Sequence, residues 1–416
     1  GGLISLPAYM AAGLPPLQAA GTNRLSACLG TVASTTRFIR GKKVDWKAGI
    51  FAAIGAFPGS WLGTLLLQHI KRTFGDRLSQ VLYVSLDNLY FMDNSLLELA
   101  EKFVQRGGTH LFLDEVHKYP NWSQTIKNIY DDYPELSVVF TGSSLLEILN
   151  ARADLSRRAL VYQMQGLSFR EYLTIRTGQE FPVLTLEEIL SRNEALSAQL
   201  VAQVKPFMYF EDYLKTGYYP FFLEGEEDYG SRLTETVNMI LDIELPLLRK
   251  IETASIAKVK KLLMVIAKSA PFIPNTTELA GMVGVARQTL LSYCNYLEES
   301  MLVSQLFKQT RGLGLLQKPD KLFLENTNLM YLLAEKNSDL GNIRETFVLN
   351  QLRHSHRVLF PATGDFLVDD RYTLEVGGRS KKRKQIQDVE NSYIIADDIE
   401  YGTDRRIPIW LLGFLY

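Results

Sequence analysis

The stretch Thr109–Trp122, THLFLDEVHKYPNW, constrains the fold of this chain more than any other. Leu111, Phe112 and Leu113 form a short apolar run that ends abruptly in Asp114 and Glu115. Such a run predicts a strand buried on both faces, as in parallel sheets covered by helices. Acids at the C-terminal end of that strand stand where ligand crevices open in α/β proteins. The pair suits nucleotide chemistry, in which one acid holds Mg²⁺ through water and the next orients the attacking water. The blander reading is that both acids mark the strand's exit into solvent. Val81–Asp87 (VLYVSLD) and Leu136–Thr141 (LSVVFT) are runs of the same kind, and the second leads into the polar turn Gly142-Ser143-Ser144. Strand-like runs spaced by helix-like stretches predict a parallel sheet in an α/β domain.

At 416 residues the chain has room for roughly two to three domains with their own cores. Its net charge of −1 gives no global field that argues for nucleic acid or for an acidic partner. The two cysteines, Cys28 and Cys294, are too far apart for a disulfide framework or a metal cluster and fit a reducing compartment. No tripartite signal peptide is visible. The chain opens on Gly1 rather than Met, which points to a natural start further upstream.

The first seventy or so residues read differently. Asp45 is the only acid before Lys71, against Arg24, Arg37, Arg40, Lys42, Lys43 and Lys47. Ala48–Gln68 carries no charge, and at about 1.5 Å per residue it spans a hydrocarbon core of ~30 Å. Gly55, Gly59 and Gly63 repeat at helical spacing and give one smooth face for close packing in lipid. Leu25–Thr36 is a second, weaker segment. The expectation is a helical membrane-type hairpin; a buried Ala/Gly-rich hairpin of a soluble protein is the alternative.

Downstream, Asn94–Arg106 is amphipathic, with Gly107 as its C-terminal cap. Leu186–Val204 and Ser231–Lys250 are the clearest helices of a helical lid. The aromatics of Tyr209–Phe222 (YFEDYLKTGYYPFF) suit a lid core better than base stacking, because acids interleave with them. Ile256–Ser269, Thr277–Val283 and Arg287–Ser300 are helical patterns, followed by β-like runs at Leu302–Phe307 and Lys321–Leu324 around an RGLG turn. That is the order of a winged helix-turn-helix. Arg287 is the only basic residue at the start of its third helix, so a structural or partner-binding role outweighs duplex recognition. In the last hundred or so residues Glu345 lies on a helical stretch, Asp365 opens an apolar run and Glu375 ends another. An acid, then D, then E-x-K is how PD-(D/E)xK nucleases hold Mg²⁺ beside a scissile phosphate. Here the third element reads Glu375-Val376-Gly377, so the lysine is missing and a degenerate scaffold is expected. Lys381–Lys384 form a basic cluster beyond it, most simply a solvated face.

From about Leu65 onward the chain resembles the prokaryotic AAA-like ATPases that carry a C-terminal nuclease-like domain of unknown function. The resemblance rests on VLYVSLDN (81–88), HLFLDEVHKYPNW (110–122), VVFTGSSLLEI (138–148), LSFREYL (167–173), KPDKLFLENTNLMY (318–331) and LEVGGRSKKRKQI (374–386). It implies ATP and Mg²⁺ as ligands, with Asp114 as metal-site acid and Glu115 as water-orienting acid. It further implies Ser143 or Thr141 as the γ-phosphate sensor and Arg158 as an arginine that reaches phosphate. LSFREYL is expected to pack the end of the ATPase core. The first 64 residues resemble instead the first repeat of sulfite-exporter-type (TauE/SafE) permeases, through Gly1-Gly2, the GLPP of Gly13–Pro16, the Ala19–Asn23 step and the Lys43–Trp46 loop.

The seam between the two falls near Gly63–Leu66, where the ATPases place their phosphate loop. Gripping a triphosphate takes G-x-x-x-x-G-K-[ST], but Pro58–Thr64 reads PGSWLGT and no Gly-Lys-Ser/Thr occurs in the chain. Losing about three charge-assisted hydrogen bonds of roughly 1.5–3 kcal/mol each lowers nucleotide affinity by a factor of ~10³–10⁶. The strand before that loop is lost with it, leaving an open ladder edge beside the TGSS strand. The organisation expected is therefore a permease-like transmembrane fragment (1–64), a truncated P-loop-NTPase-like core lacking its P-loop strand (65–180), a helical lid (181–250), a winged helix (251–330) and a degenerate nuclease-like α/β domain (331–416). Its function is expected to be that of an AAA-family ATP-binding protein with weak or absent binding. Its ATPase portion faces the cytoplasm, attached to the inner membrane through Ala48–Gln68, with an unknown protein as partner. The alternatives are a membrane-anchored interaction protein, a transporter fragment, or an accidental joining without function.

Overall fold

The computed structural model describes residues 79–142, 155, 158–160, 164–249, 251–308, 318–334 and 339–416. Ala48–Gln68, the Leu25–Thr36 segment, Pro58–Thr64, Ser143 and the RGLG turn lie outside them. Among the described residues no helix is long and apolar enough to cross a membrane. The chain divides into two compact units, Gly1–Ser143 and Ser144–Tyr416.

In the first unit β1 (Val81–Ser85), β2 (His110–Asp114) and β3 (Ser137–Phe140) form a sheet in that order. Both pairings are parallel, with Val81 opposite His110 and His110 opposite Ser137. His110–Asp114 is thus the middle of a parallel sheet, as the apolar run Leu111–Leu113 requires, and Leu111, Phe112 and Leu113 are buried. Helices α1 (Leu96–Gln105) and α2 (Trp122–Asp132) make the crossovers. Helix α1 ends one residue before the expected boundary, and Gly107 takes the left-handed φ of +83° that lets the chain turn away. No further strand pairs with β3 among the described residues, and Val139 on that strand is 45% exposed.

Among the described residues the main apolar core of the second unit runs from Phe169 to Leu415, beside a small cluster of Ile386, Ile394 and Ala396. Helix α3 (Phe169–Thr177) starts with a Ser168–Glu171 capping box. It packs against the C-terminal 3-10 turn Ile409–Phe414, where Phe169 meets Phe414 at 6.2 Å between ring centres. Next come α4 (Leu186–Gln203), which kinks at Arg192, α5 (Phe207–Asp212) with a π-helical turn Tyr213–Gly217, and α6 (Tyr229–Met239). A second π-turn, Ile240–Glu244, leads into α7 (Leu245–Arg249). The aromatics of the expected lid do turn inward, with Phe210, Tyr213, Tyr218 and Phe222 buried.

Helices α8 (Thr253–Ser269), α9 (Thr276–Val283) and α10 (Arg287–Glu299) precede an antiparallel pair, β4 (Val303–Leu306) and β5 (Lys321–Leu324). Arg287 donates from Nε to the Thr276 hydroxyl at 3.0 Å, which ties its helix to the start of the preceding one. Buried Cys294 on α10 has its thiol pushed up to about 12 by burial, with Glu298 adding to the effect. Because the thiolate is the reactive species, iodoacetamide at pH 8 should leave Cys294 unmodified in native protein and label it in urea, as read by peptide mass spectrometry. Labelling of native protein at the rate of a free thiol would show that α10 is not packed this way.

Helices α11 (Thr327–Leu333) and α12 (Leu340–Arg353) lead to a mixed sheet of β6 (Val358–Leu359), β7 (Phe366–Val368), β8 (Tyr372–Gly377), β9 (Ser392–Ala396) and β10 (Arg406–Pro408). Its strand order is β10-β9-β8-β7-β6. β6, β7 and β8 pair antiparallel, whereas β8–β9 and β9–β10 are parallel.

Candidate functional site

Asp114 ends the central strand and is buried. Its carboxylate is gripped from both neighbouring strands: Tyr83 on β1 donates its hydroxyl to Oδ2 at 2.5 Å, and Thr141, just past β3, donates its hydroxyl to Oδ1. The Glu115 backbone N–H adds a third bond to Oδ1 at 3.1 Å. The parallel register makes this possible, because it places Ser85 opposite Asp114 and Phe140 opposite Leu113. Burial, and next the bond to Asp114, push the Tyr83 phenol well above its ordinary range, so it stays a donor. A carboxylate offers about four acceptor positions, and these three bonds leave room for water on a cation.

Glu115 has a left-handed backbone, φ 53° and ψ 42°. A non-glycine residue there is uncommon and stores strain, and here the conformation ends the strand and starts the 3-10 turn Val116–Lys118. The Val116 N–H donates to the Thr141 carbonyl at 3.0 Å, fastening that turn to the end of β3. The Glu115 carboxylate lies 3.4 Å from His117 Nδ1. The structure therefore brings Asp114, Glu115 and Thr141 together. Ser143 is outside the described residues. Arg158 belongs to the second unit, where its N–H donates to the Leu155 carbonyl at 2.8 Å. Tyr83 escaped the sequence reading because an aromatic in an apolar run looks like core; only the pairing register reveals its partner.

The acids of the C-terminal sheet also converge, though not as a metal site. Asp365 Oδ2 accepts from the Val376 N–H at 2.7 Å, which ties it to the strand carrying Glu375. Glu345, on α12, pairs with Lys321 of β5. Burial pushes the Glu345 carboxyl up, against the pull of Lys321. Glu375 Oε1 lies 2.6 Å from Lys381 Nζ. Two sequence expectations are corrected here. A lysine does reach Glu375, from the turn beyond the strand, and Lys381 is not part of a merely solvated basic face. Among the described residues no three acid, histidine or cysteine side chains are arranged to hold a metal ion.

Residues 63–173 match the AAA domain family. Residues 1–86 match the sulfite exporter TauE/SafE family, and residues 208–340 match a domain of unknown function, DUF8612. The chain thus carries an ATPase-like segment behind a permease-like fragment, and AAA domains in general bind nucleotide with Mg²⁺. The TauE/SafE match runs past the Gly63–Leu66 seam, so residues 63–86 answer to both families. The chain is 28% identical over 240 residues to the uncharacterized protein MJ1637 of Methanocaldococcus jannaschii, covering 55% of this chain and 50% of the relative. It is 38% identical over 92 residues to a probable membrane transporter protein of Haemophilus influenzae, covering 22% of this chain and 36% of that one. The probable membrane transporter protein YfcA of Escherichia coli K12 is 37% identical over 92 residues, with 22% and 34% covered. The chain spans half or less of the length of these relatives.

Proposed function

We propose that the first unit is the carboxylate half of an AAA-like nucleotide site whose phosphate-gripping half is missing, so that the chain does not hydrolyse ATP as it stands. The observation that supports this most is the pinning of Asp114 between Tyr83 and Thr141 at the end of a central parallel strand within the AAA-matching segment. Bound Mg²⁺ would supply charge neutralisation of phosphate oxygens. Asp114 would hold its water shell, Glu115 would orient a water, and Thr141 or Ser143 would sense the terminal phosphate. Without the glycine-lysine loop these groups lack that loop's amide and lysine donors opposite them.

Equilibrium dialysis with Mg·ATP tests this. The expected affinity is lower by ~10³–10⁶ than that of an AAA domain with an intact loop, and no phosphate is released above background. Turnover at millimolar ATP that Glu115→Gln abolishes would end the proposal.

Behind this unit, α4–α7 are read as a lid, α8–β5 as a winged helix and α11–β10 as a degenerate nuclease scaffold, serving attachment to a protein partner more than to nucleic acid. A second reading is a membrane-anchored interaction protein with its ATPase-like portion in the cytoplasm, favoured by the TauE/SafE match over residues 1–86. Extraction of the full chain from membranes only by detergent, together with no saturable Mg·ATP binding, would favour it.

A further inference from the structure

We infer that the Lys381 ammonium is a tethered cation standing where a divalent metal would otherwise sit among Glu345, Asp365 and Glu375. Lys381 lies within electrostatic reach of all three acids, Glu375 on β8, Asp365 leading into β7 and Glu345 on α12. The Glu375 side chain is 2% exposed and its Oε2 has no hydrogen-bond partner, so Lys381 on Oε1 is its counter-charge. A buried carboxylate requires such a partner, and where no metal serves, a side-chain cation must.

The local backbone is built around that lysine. A Cβ on Gly377, the position where an E-x-K motif carries its lysine, would lie 2.6 Å from Lys381 Cδ and 2.8 Å from its Cβ. The Lys381 stem therefore fills the space above Gly377, and a side chain at residue 377 would require that stem to move. The turn is fixed from both sides. The Lys381 N–H donates to the Gly378 carbonyl at 3.0 Å, and Arg406 donates to the carbonyls of Arg379 and Lys381 at 2.9 and 2.6 Å. Lys321 neutralises Glu345, and Asp365 is held by the Val376 N–H. With these partners in place the cluster offers a divalent ion a site already filled by positive charge.

The test is Mn²⁺ binding to the full chain, followed by the loss of the free-ion electron paramagnetic resonance signal. Wild-type protein is expected to show no Mn²⁺ site that depends on Glu375. Lys381→Ala removes the tethered cation and opens space, and it should gain Mn²⁺ affinity by about tenfold or more, a gain that the double variant K381A/E375Q loses. Lys381→Arg keeps the charge and should behave as wild type. A stoichiometric Mn²⁺ site in wild-type protein that Glu375→Gln removes would overturn the inference, and this measurement does not require the Lys381 variants to fold. Folded Lys381→Ala with unchanged Mn²⁺ affinity would overturn it equally.

Discussion

Asn328→Ala is expected to destabilise the second unit by about 4 kcal/mol, in the exceptional range for a single substitution. Asn328 opens α11 and is buried with all its hydrogen-bonding capacity in use. Its Oδ1 accepts from the Tyr218 N–H at 2.9 Å and from the Tyr229 hydroxyl. Its Nδ2 donates to the carbonyls of Tyr213 and Leu214 at 3.1 and 2.8 Å. Those carbonyls belong to the π-turn 213–217, whose wider winding displaces backbone groups from regular helical partners. Alanine removes four hydrogen bonds at once, at roughly 0.5–1.5 kcal/mol each net. Urea unfolding followed by tyrosine and tryptophan fluorescence measures the loss. A midpoint within experimental error of wild type would mean that water replaces the amide and that the site is not dry.

Phe169→Ala is expected to cost about 3–5 kcal/mol, the usual range for emptying a large aromatic site in a packed core. Phe169 is fully buried, with Phe210 at 5.1 Å, Tyr213 at 5.4 Å and Phe414 at 6.2 Å between ring centres. The backbone at Gly413 comes so close that an added Cβ would sit 2.4 Å from Phe169 Cβ. No neighbour is placed to collapse into the cavity, because the walls are rings held by other rings. The two ends of the second unit are also joined here, by the Leu184 N–H to the Phe414 carbonyl at 2.8 Å and Arg170 Nε to the Tyr416 carbonyl at 2.8 Å. Urea unfolding of Phe169→Ala and Phe169→Leu separates lost volume from lost ring contacts. A loss below about 1 kcal/mol for the alanine variant would place this helix outside the core.

The parallel sheet was legible because Leu111–Leu113 can only be buried on both faces, and a strand of that kind in the middle of a sheet is parallel or nearly so. The helix ends were legible wherever a cap was written, as in Ser168 with Glu171. Asp114 was legible as the acid that ends the strand. Its clamp was not, since Tyr83 lies thirty-one positions away in the sequence and meets Asp114 only through the β1–β2 register. The surroundings of LSFREYL were not legible for a related reason. Its amphipathic pattern states that one face is buried but cannot name the partner, which turns out to be the far end of the chain.

What the sequence alone determined is local: which runs become strand or helix, which residues turn inward, and the lack of any Gly-Lys-Ser/Thr to hold phosphate. These follow from periodicity, capping and residue chemistry within a few positions. Tertiary structure alone decided which charges meet. Lys381 looked like surface text among other basic residues, yet its ammonium stands on the buried Glu375 because the turn after β8 folds back over Gly377. Pairings of that kind depend on distances in space, which linear spacing does not encode once the chain reverses direction.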